Sequence, residues 1–187
     1  MKLYFHLERC NWLEEGDIVK KEPYRGESVF PALMPYADTD FLRRLDKISR
    51  KGLSLHGARY LIKPGQGVKG IDLIEFALEL QFEYARYIYY KERPSRLQSL
   101  YAFDSYERTL QFKKASGNKG TIYEVDFSGL CFIGDMNWLK AETNSETQKH
   151  YAMSYWEGKA FSTDKNYDPQ WECVIDLPVT IVRKITD

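Results

Sequence analysis

The spacing of apolar and polar residues assigns most of this chain to elements. Residues 3–7 (LYFHL) form an aromatic and aliphatic run that predicts a short strand, and Glu15-Gly16-Asp17 marks a turn soon after. Residues 22–37 carry Pro23, Gly26, Pro31 and Pro35, and proline has no N–H for a ladder, so a loop is expected. From Thr39 the period changes. Phe41, Leu42, Leu45 and Ile48 share one helical face, with Asp38 or Thr39 as cap and an end near Gly52. The clearest helix spans 71–92, where Ile71, Ile74, Leu78, Phe82 and Ala85 recur at three- and four-residue steps ahead of Pro94. Tyr84, Tyr87, Tyr89 and Tyr90 crowd its last turns, and amphipathic aromatics at that spacing are expected to pack against a sheet rather than stack on a ligand.

The second half reads differently. Strand patterns cover 98–103, 121–127, 130–133 and 171–183, with turns at Ser116-Gly117-Asn118 and Ser128-Gly129. A short helix is expected over 104–114, whereas 140–169 is polar and assigns to neither class. No internal repeat or low-complexity tract interrupts the chain. Strands in both halves with few helices, mostly early, predict an α+β fold in a single domain over 1–187.

Composition narrows the classes without naming one. With 43% hydrophobic and 15% aromatic residues the chain can bury a core, and 27 Lys plus Arg against 27 Asp plus Glu leave no net charge to attract polyanions globally. Cys10, Cys131 and Cys173 are far apart and odd in number, so neither a disulfide framework nor a zinc site is expected, and a reducing cytoplasm suits them. No apolar run approaches the ~18 residues of a membrane span, and the first ten residues lack a signal-peptide core.

Three motifs carry little chemistry. Gly65-Gln66-Gly67-Val68-Lys69-Gly70 matches a dinucleotide fingerprint, but Pro64 abuts it, the preceding apolar run is very short, and no acidic residue ends a strand about twenty positions on. A loop capping the next helix is the expectation. The histidines are His6, His56 and His150, and no GxSxG surrounds a serine. Residues 38–70 hold Arg43, Arg44, Lys47, Arg50, Lys51, Arg59, Lys63 and Lys69 against Asp38, Asp40 and Asp46. That surplus is a solvated helix face or a polyanion-docking surface.

A fourth constellation is more informative. It joins the run from Phe5-His6 through Gly16-Asp17-Ile18, the strand Leu100-Tyr101-Ala102-Phe103 running into a helix, and the hairpin from Ile122-Tyr123 through Ser128-Gly129 to Asp135-Met136-Asn137. In this order they resemble the ADP-ribosyltransferase superfamily, most closely its small rifamycin-modifying branch. The likeness covers about residues 4–18, 97–137 and 171–185. It departs from that branch at Leu7, in one extra residue before Gly16-Asp17, and in a mainly helical insertion over about 38–92.

The resemblance implies a split β-sheet core and an NAD-dependent mono-ADP-ribosyltransferase. It implies that His6 holds the NAD ribose, that Tyr101 stacks on nicotinamide, and that Arg9 joins them in binding NAD. The catalytic acid is Asp135 by the rifamycin-like alignment, or Glu172, which opens a late strand as in other branches. NAD is the co-substrate and no metal is needed. The insertion favours a macromolecular acceptor, nucleic acid or protein, as for a toxin or effector with an antitoxin or immunity partner. A small-molecule transferase and a non-catalytic nucleotide-binding member are the alternatives.

Overall fold

The computed structural model describes residues 3–10, 12–25, 39–61, 73–141 and 144–185. In chain order its elements are β1 (Tyr4–Glu8), β2 (Ile18–Val19), α1 (Thr39–Lys51), α2 (Leu55–Leu61), α3 (Leu73–Tyr89), β3 (Ser99–Ala102), α4 (Tyr106–Ala115), β4 (Thr121–Asp126), β5 (Cys131–Asp135), α5 (Ser145–Glu157), β6 (Trp171–Asp176) and β7 (Val179–Ile185). Single 3₁₀ turns at Arg96–Gln98 and Met136–Trp138 lead into β3 and out of β5. The fold is mixed α+β. The GxGxxG segment and the basic residues Lys63 and Lys69 lie outside the described residues. Among the described residues no helix is long and apolar enough to cross a membrane.

Two antiparallel sheets form, one in the order β1-β4-β7-β2 and the other β3-β6-β5. Their edge strands β1 and β3 meet at one pair, Phe5 and Phe103, which exchange both backbone hydrogen bonds at 2.8 Å. Strand alternation then sorts the side chains into layers. Leu100, Ala102, Cys173 and Ile175 of the smaller sheet face Tyr123, Val125, Val179 and Ile181 of the larger in one core cluster. The smaller sheet's other face, with Phe132 and Val174, packs on Phe82 and Ala85 of α3 and on Tyr155 and Trp156 of α5. Helix α4 covers Phe5, Leu7 and Ile122 on the outside of the larger sheet. Leu42, Leu45 and Ile48 of α1 bury against Leu61 of α2 and against Leu97, as their helical spacing predicts.

The strand pattern over 171–183 is two strands, not one. It breaks at Leu177-Pro178, where proline supplies no N–H, and its halves β6 and β7 join different sheets. The polar 140–169 stretch contains α5, which starts at the Asn144 cap, stops at Gly158 in the left-handed region, and buries Ala152, Tyr155 and Trp156. Helix α2, which the apolar pattern does not mark, approaches the Leu97 turn closely. A Cβ on Gly57 would lie 2.0 Å from the Leu97 carbonyl oxygen, so the absence of a side chain there is what brings α2 and its His56 to the smaller sheet.

Candidate functional site

A group of buried charges sits on the helical face of the smaller sheet. Tyr101 on β3 is opposite Val174 on β6, and Glu172 is two residues from Val174, so Tyr101 and Glu172 project to the same face. Opposite Glu172 is Gly134 of β5, where a Cβ would lie 2.5 Å from the Tyr155 ring. The bare position lets that ring lie on the sheet, and its hydroxyl donates to Glu172 Oε1 at 2.7 Å.

Arg96 occupies the centre. Its Nη1 donates to Glu172 Oε1 and, at 2.8 Å, to the Tyr155 hydroxyl, while Nε and Nη2 donate to the two oxygens of Glu79 at 3.1 and 3.0 Å. The guanidinium lies over the rings of Tyr101 and Tyr155, 4.9 and 5.4 Å from their centroids. Tyr101 donates its hydroxyl to the Arg96 carbonyl at 2.7 Å. His56 stacks obliquely on Tyr101 at 4.8 Å and holds Nε2 3.1 Å from Glu79 Oε1. A second buried pair steadies the approach to Arg96. Arg86 forks onto Glu83 and donates to the Arg93 carbonyl at 3.0 Å, and Ser95 donates to Glu83 at 2.9 Å.

Burial opposes the charge on Glu79, yet Arg96 and His56 outweigh it and hold the carboxyl far below its usual range. Burial likewise opposes the charge on Arg96, and Glu172 and Glu79 reverse the effect, so its pKa is raised. The phenols of Tyr101 and Tyr155 are pushed well up by burial and stay neutral donors. One guanidinium thus serves two buried carboxylates, with the His56 ring beside Glu79.

His6 stands on the seam between the sheets. Its Nδ1 is 2.7 Å from the Tyr101 carbonyl, and a carbonyl only accepts, so Nδ1 carries the proton. Burial lowers the imidazole pKa, against the opposing pull of that bond and of Glu8, which leaves Nε2 as an acceptor in the neutral ring. Arg9 is exposed, with its guanidinium 5.7 Å from the Phe112 ring centroid.

Asp135 lies elsewhere. It is one residue beyond Gly134, hence on the other face of β5 from the Glu172 partner position, and it is fully buried. Its Oδ1 accepts from the Asn137 backbone and side chain and from Gln170 N, each at 3.1 Å. Its Oδ2 accepts from Phe161 N at 2.9 Å and from the Tyr167 hydroxyl at 2.6 Å. Burial opposes its charge, but these donors prevail and lower its pKa, while Tyr167 is raised to about 12 by burial and by this bond. Asp135 therefore ties 160–170 to the end of β5. Its stabilising effect is complete above the unfolded carboxyl pKa and is lost as pH falls through the lower folded value. Asp135→Asn should cost about 1–3 kcal/mol at pH 7, because an amide cannot accept all five bonds. Urea unfolding at pH 7 and at pH 3 checks this, with a smaller difference expected at pH 3.

The structure thus brings Tyr101 and Glu172 to one sheet face and puts His6 on the Tyr101 backbone, and it leaves Asp135 and Arg9 apart from them. Glu79, Arg96, His56 and Tyr155 were not anticipated. A signal did exist in α3, where Glu79, Glu83 and Arg86 interrupt the apolar stripe at i, i+4 and i+7, all buried. Two surface depressions lie away from this group. One, of about 150 Å³, is lined by Phe103, Arg108, Gln111 and Trp171, and the other, of about 370 Å³, by Glu14, Glu15, Tyr123 and Lys184.

A family model described as "protein of unknown function (DUF2441)" matches residues 4–187, and so spans both sheets, all five described α-helices and every residue of the buried charge group. The chain belongs to the DUF2441 family. No curated protein matches this DUF2441 member significantly.

Proposed function

We propose that this DUF2441 protein is an NAD-dependent mono-ADP-ribosyltransferase acting on a macromolecular acceptor. The observation that carries the reading is the seam. Among the described residues the two antiparallel sheets are bridged by backbone hydrogen bonds at Phe5 and Phe103, His6 reaches across to the Tyr101 carbonyl, and Glu172 shares the Tyr101 face. That arrangement agrees with the split sheet, ribose-binding histidine and strand-borne glutamate that the superfamily resemblance implies.

In the reaction the bond between nicotinamide nitrogen and ribose C1′ breaks, and nicotinamide leaves with the bonding pair. Positive charge develops on the ribose ring, a nucleophile of the acceptor bonds to C1′, and the acceptor loses a proton. A fixed carboxylate lowers the barrier by opposing that charge where water is scarce. Glu172 suits this role better than Asp135, whose oxygens already accept five hydrogen bonds. His6 Nε2 would accept from a ribose hydroxyl. Tyr101 can stack on nicotinamide once His56 leaves its ring.

A non-catalytic nucleotide-binding role is the competing reading, favoured by one observation: Arg96 occupies the Glu172 carboxylate. Adenylate-labelled NAD incubated with the purified protein and a cell lysate separates the two. Release of nicotinamide with label retained in polymer is expected, and digestion with protease or nuclease identifies the acceptor. Intact NAD after prolonged incubation at stoichiometric protein overturns the transferase reading.

A further inference from the structure

We propose that the exposed side of α1 and the adjoining stripe of α3 form a docking surface for single-stranded nucleic acid. As the choice of acceptor the inference rests on the transferase reading; as a binding surface it is testable alone.

Residues 39–61 hold six cations, Arg43, Arg44, Lys47, Arg50, Lys51 and Arg59, against the two carboxylates Asp40 and Asp46. Those carboxylates are engaged, Asp40 with Arg43 at 3.0 Å and Asp46 with Arg50 at 2.8 Å. Arg44, Lys47 and Lys51 follow one another at i, i+3 and i+7, hence along one face of α1. Among the described residues no carboxylate pairs with any of these three or with Lys91. The chain as a whole is neutral, so this row is a local feature and not a sample of the average surface.

Aromatic rings accompany the charges. Along α3, Tyr84, Tyr87 and Ile88 lie at helical spacing on one stripe, and Lys91 follows in the turn just beyond the helix. The Tyr87 ring has the Arg44 guanidinium 5.8 Å and the Lys91 ammonium 5.4 Å from its centroid. Phe41 meets Tyr84 edge-on at 4.9 Å and supports that ring, which stays 40% exposed beside Ile88 at 39%. The tyrosines therefore do not pack α3 against a sheet along this stripe.

Cations in a row at one-turn spacing follow a phosphate backbone, and a supported, half-exposed ring next to them accepts an unstacked base. An acidic protein segment would use the charges but gain little from the rings. A duplex keeps its bases stacked and offers the rings nothing. The combination selects a flexible polyanion with aromatic bases, which is single-stranded RNA or DNA.

The test is fluorescence anisotropy of a labelled 20-nucleotide mixed-sequence RNA titrated with the full chain, with duplex RNA and polyglutamate as competitors. Four neutralised phosphates give a log–log salt slope of about −3, so affinity should fall about 50-fold between 50 and 200 mM salt. Lys47→Gln with Lys51→Gln, both exposed, should halve that slope, and adding Arg44→Gln and Lys91→Gln should bring it toward zero. Tyr84→Ala should weaken binding about 10- to 100-fold at an unchanged slope. Circular dichroism checks the fold of each variant, and nicotinamide release should remain at the wild-type rate in all of them.

Binding that survives these substitutions overturns the proposal, as does no saturable binding at 50 mM salt, or competition by polyglutamate as strong as by RNA. RNA binding without any nicotinamide release keeps the surface and removes the transferase reading. Nicotinamide release without RNA binding does the reverse.

Discussion

Arg96→Met should cost about 3–5 kcal/mol of folding stability at neutral pH, because it strands two buried carboxylates with no guanidinium between them. Glu79 and Glu172 are 6% and 4% exposed, so water cannot take over. The methionine fills much of the volume, which limits any cavity contribution and isolates the charge effect. The sign with pH follows from Glu79. Its folded pKa is depressed, so its contribution in the wild type is present above the unfolded carboxyl value of about 4.3 and fades as pH falls further. In Arg96→Met burial acts on Glu79 without the opposing guanidinium, so this carboxylate takes up its proton at higher pH. The gap between the two proteins should therefore be widest near pH 7 and should narrow toward pH 4. Arg96→Lys should fall between them, since it keeps the charge but not the fork that serves both acids. Urea titrations at the two pH values decide it, and a loss under 1 kcal/mol at pH 7 would mean that the cluster is open to solvent.

Glu172→Gln should lower nicotinamide release about 10²- to 10³-fold per folded molecule, the scale of losing one group positioned for the transition state. Asp135→Asn should leave that rate within a few-fold once its lower stability is allowed for. The two changes are nearly isosteric, so the comparison isolates charge. Glu172 and Gly134 face each other across β5 and β6, and Asp135 is the next residue along β5. Alternation of the strand is what separates the two acids. Unaltered turnover in Glu172→Gln together with a dead Asp135→Asn would return the catalytic role to Asp135.

Much of the fold was legible because local pattern and final burial coincide. Phe41, Leu42, Leu45 and Ile48 sit at helical spacing and are all buried, and the chain bends at Ser128-Gly129 as its residues predict. The hairpin expected around that bend does not form, because β4 pairs with β1 and β7 whereas β5 pairs with β6 in the other sheet. The misassigned parts have a common cause, namely burial supplied by distant residues. Helix α5 has little apolar periodicity of its own, and Tyr155 is buried because Gly134, far away in sequence, gives up its side chain. The candidate site was half legible. Tyr101 and Glu172 are singled out as strand residues by the superfamily resemblance. Arg96 reads as an ordinary surface charge after a proline, and only the tertiary meeting of α3, β6 and α5 makes it the hub.

The placement of β7 bears on how the chain is assembled during synthesis. Residues Val179–Ile185 take an interior place in the larger sheet, between β4 and β2, while β1 pairs with β4 on the other side. The helices can form as they emerge, since their backbone hydrogen bonds are local. The larger sheet has to wait. Until β7 leaves the ribosome, β4 has one open edge and β2 has no strand to pair with, a state that invites pairing with other chains. At about 5–20 residues per second, the span from β4 to β7 keeps that edge unpaired for several seconds, long enough for chaperones to meet it before the fold does.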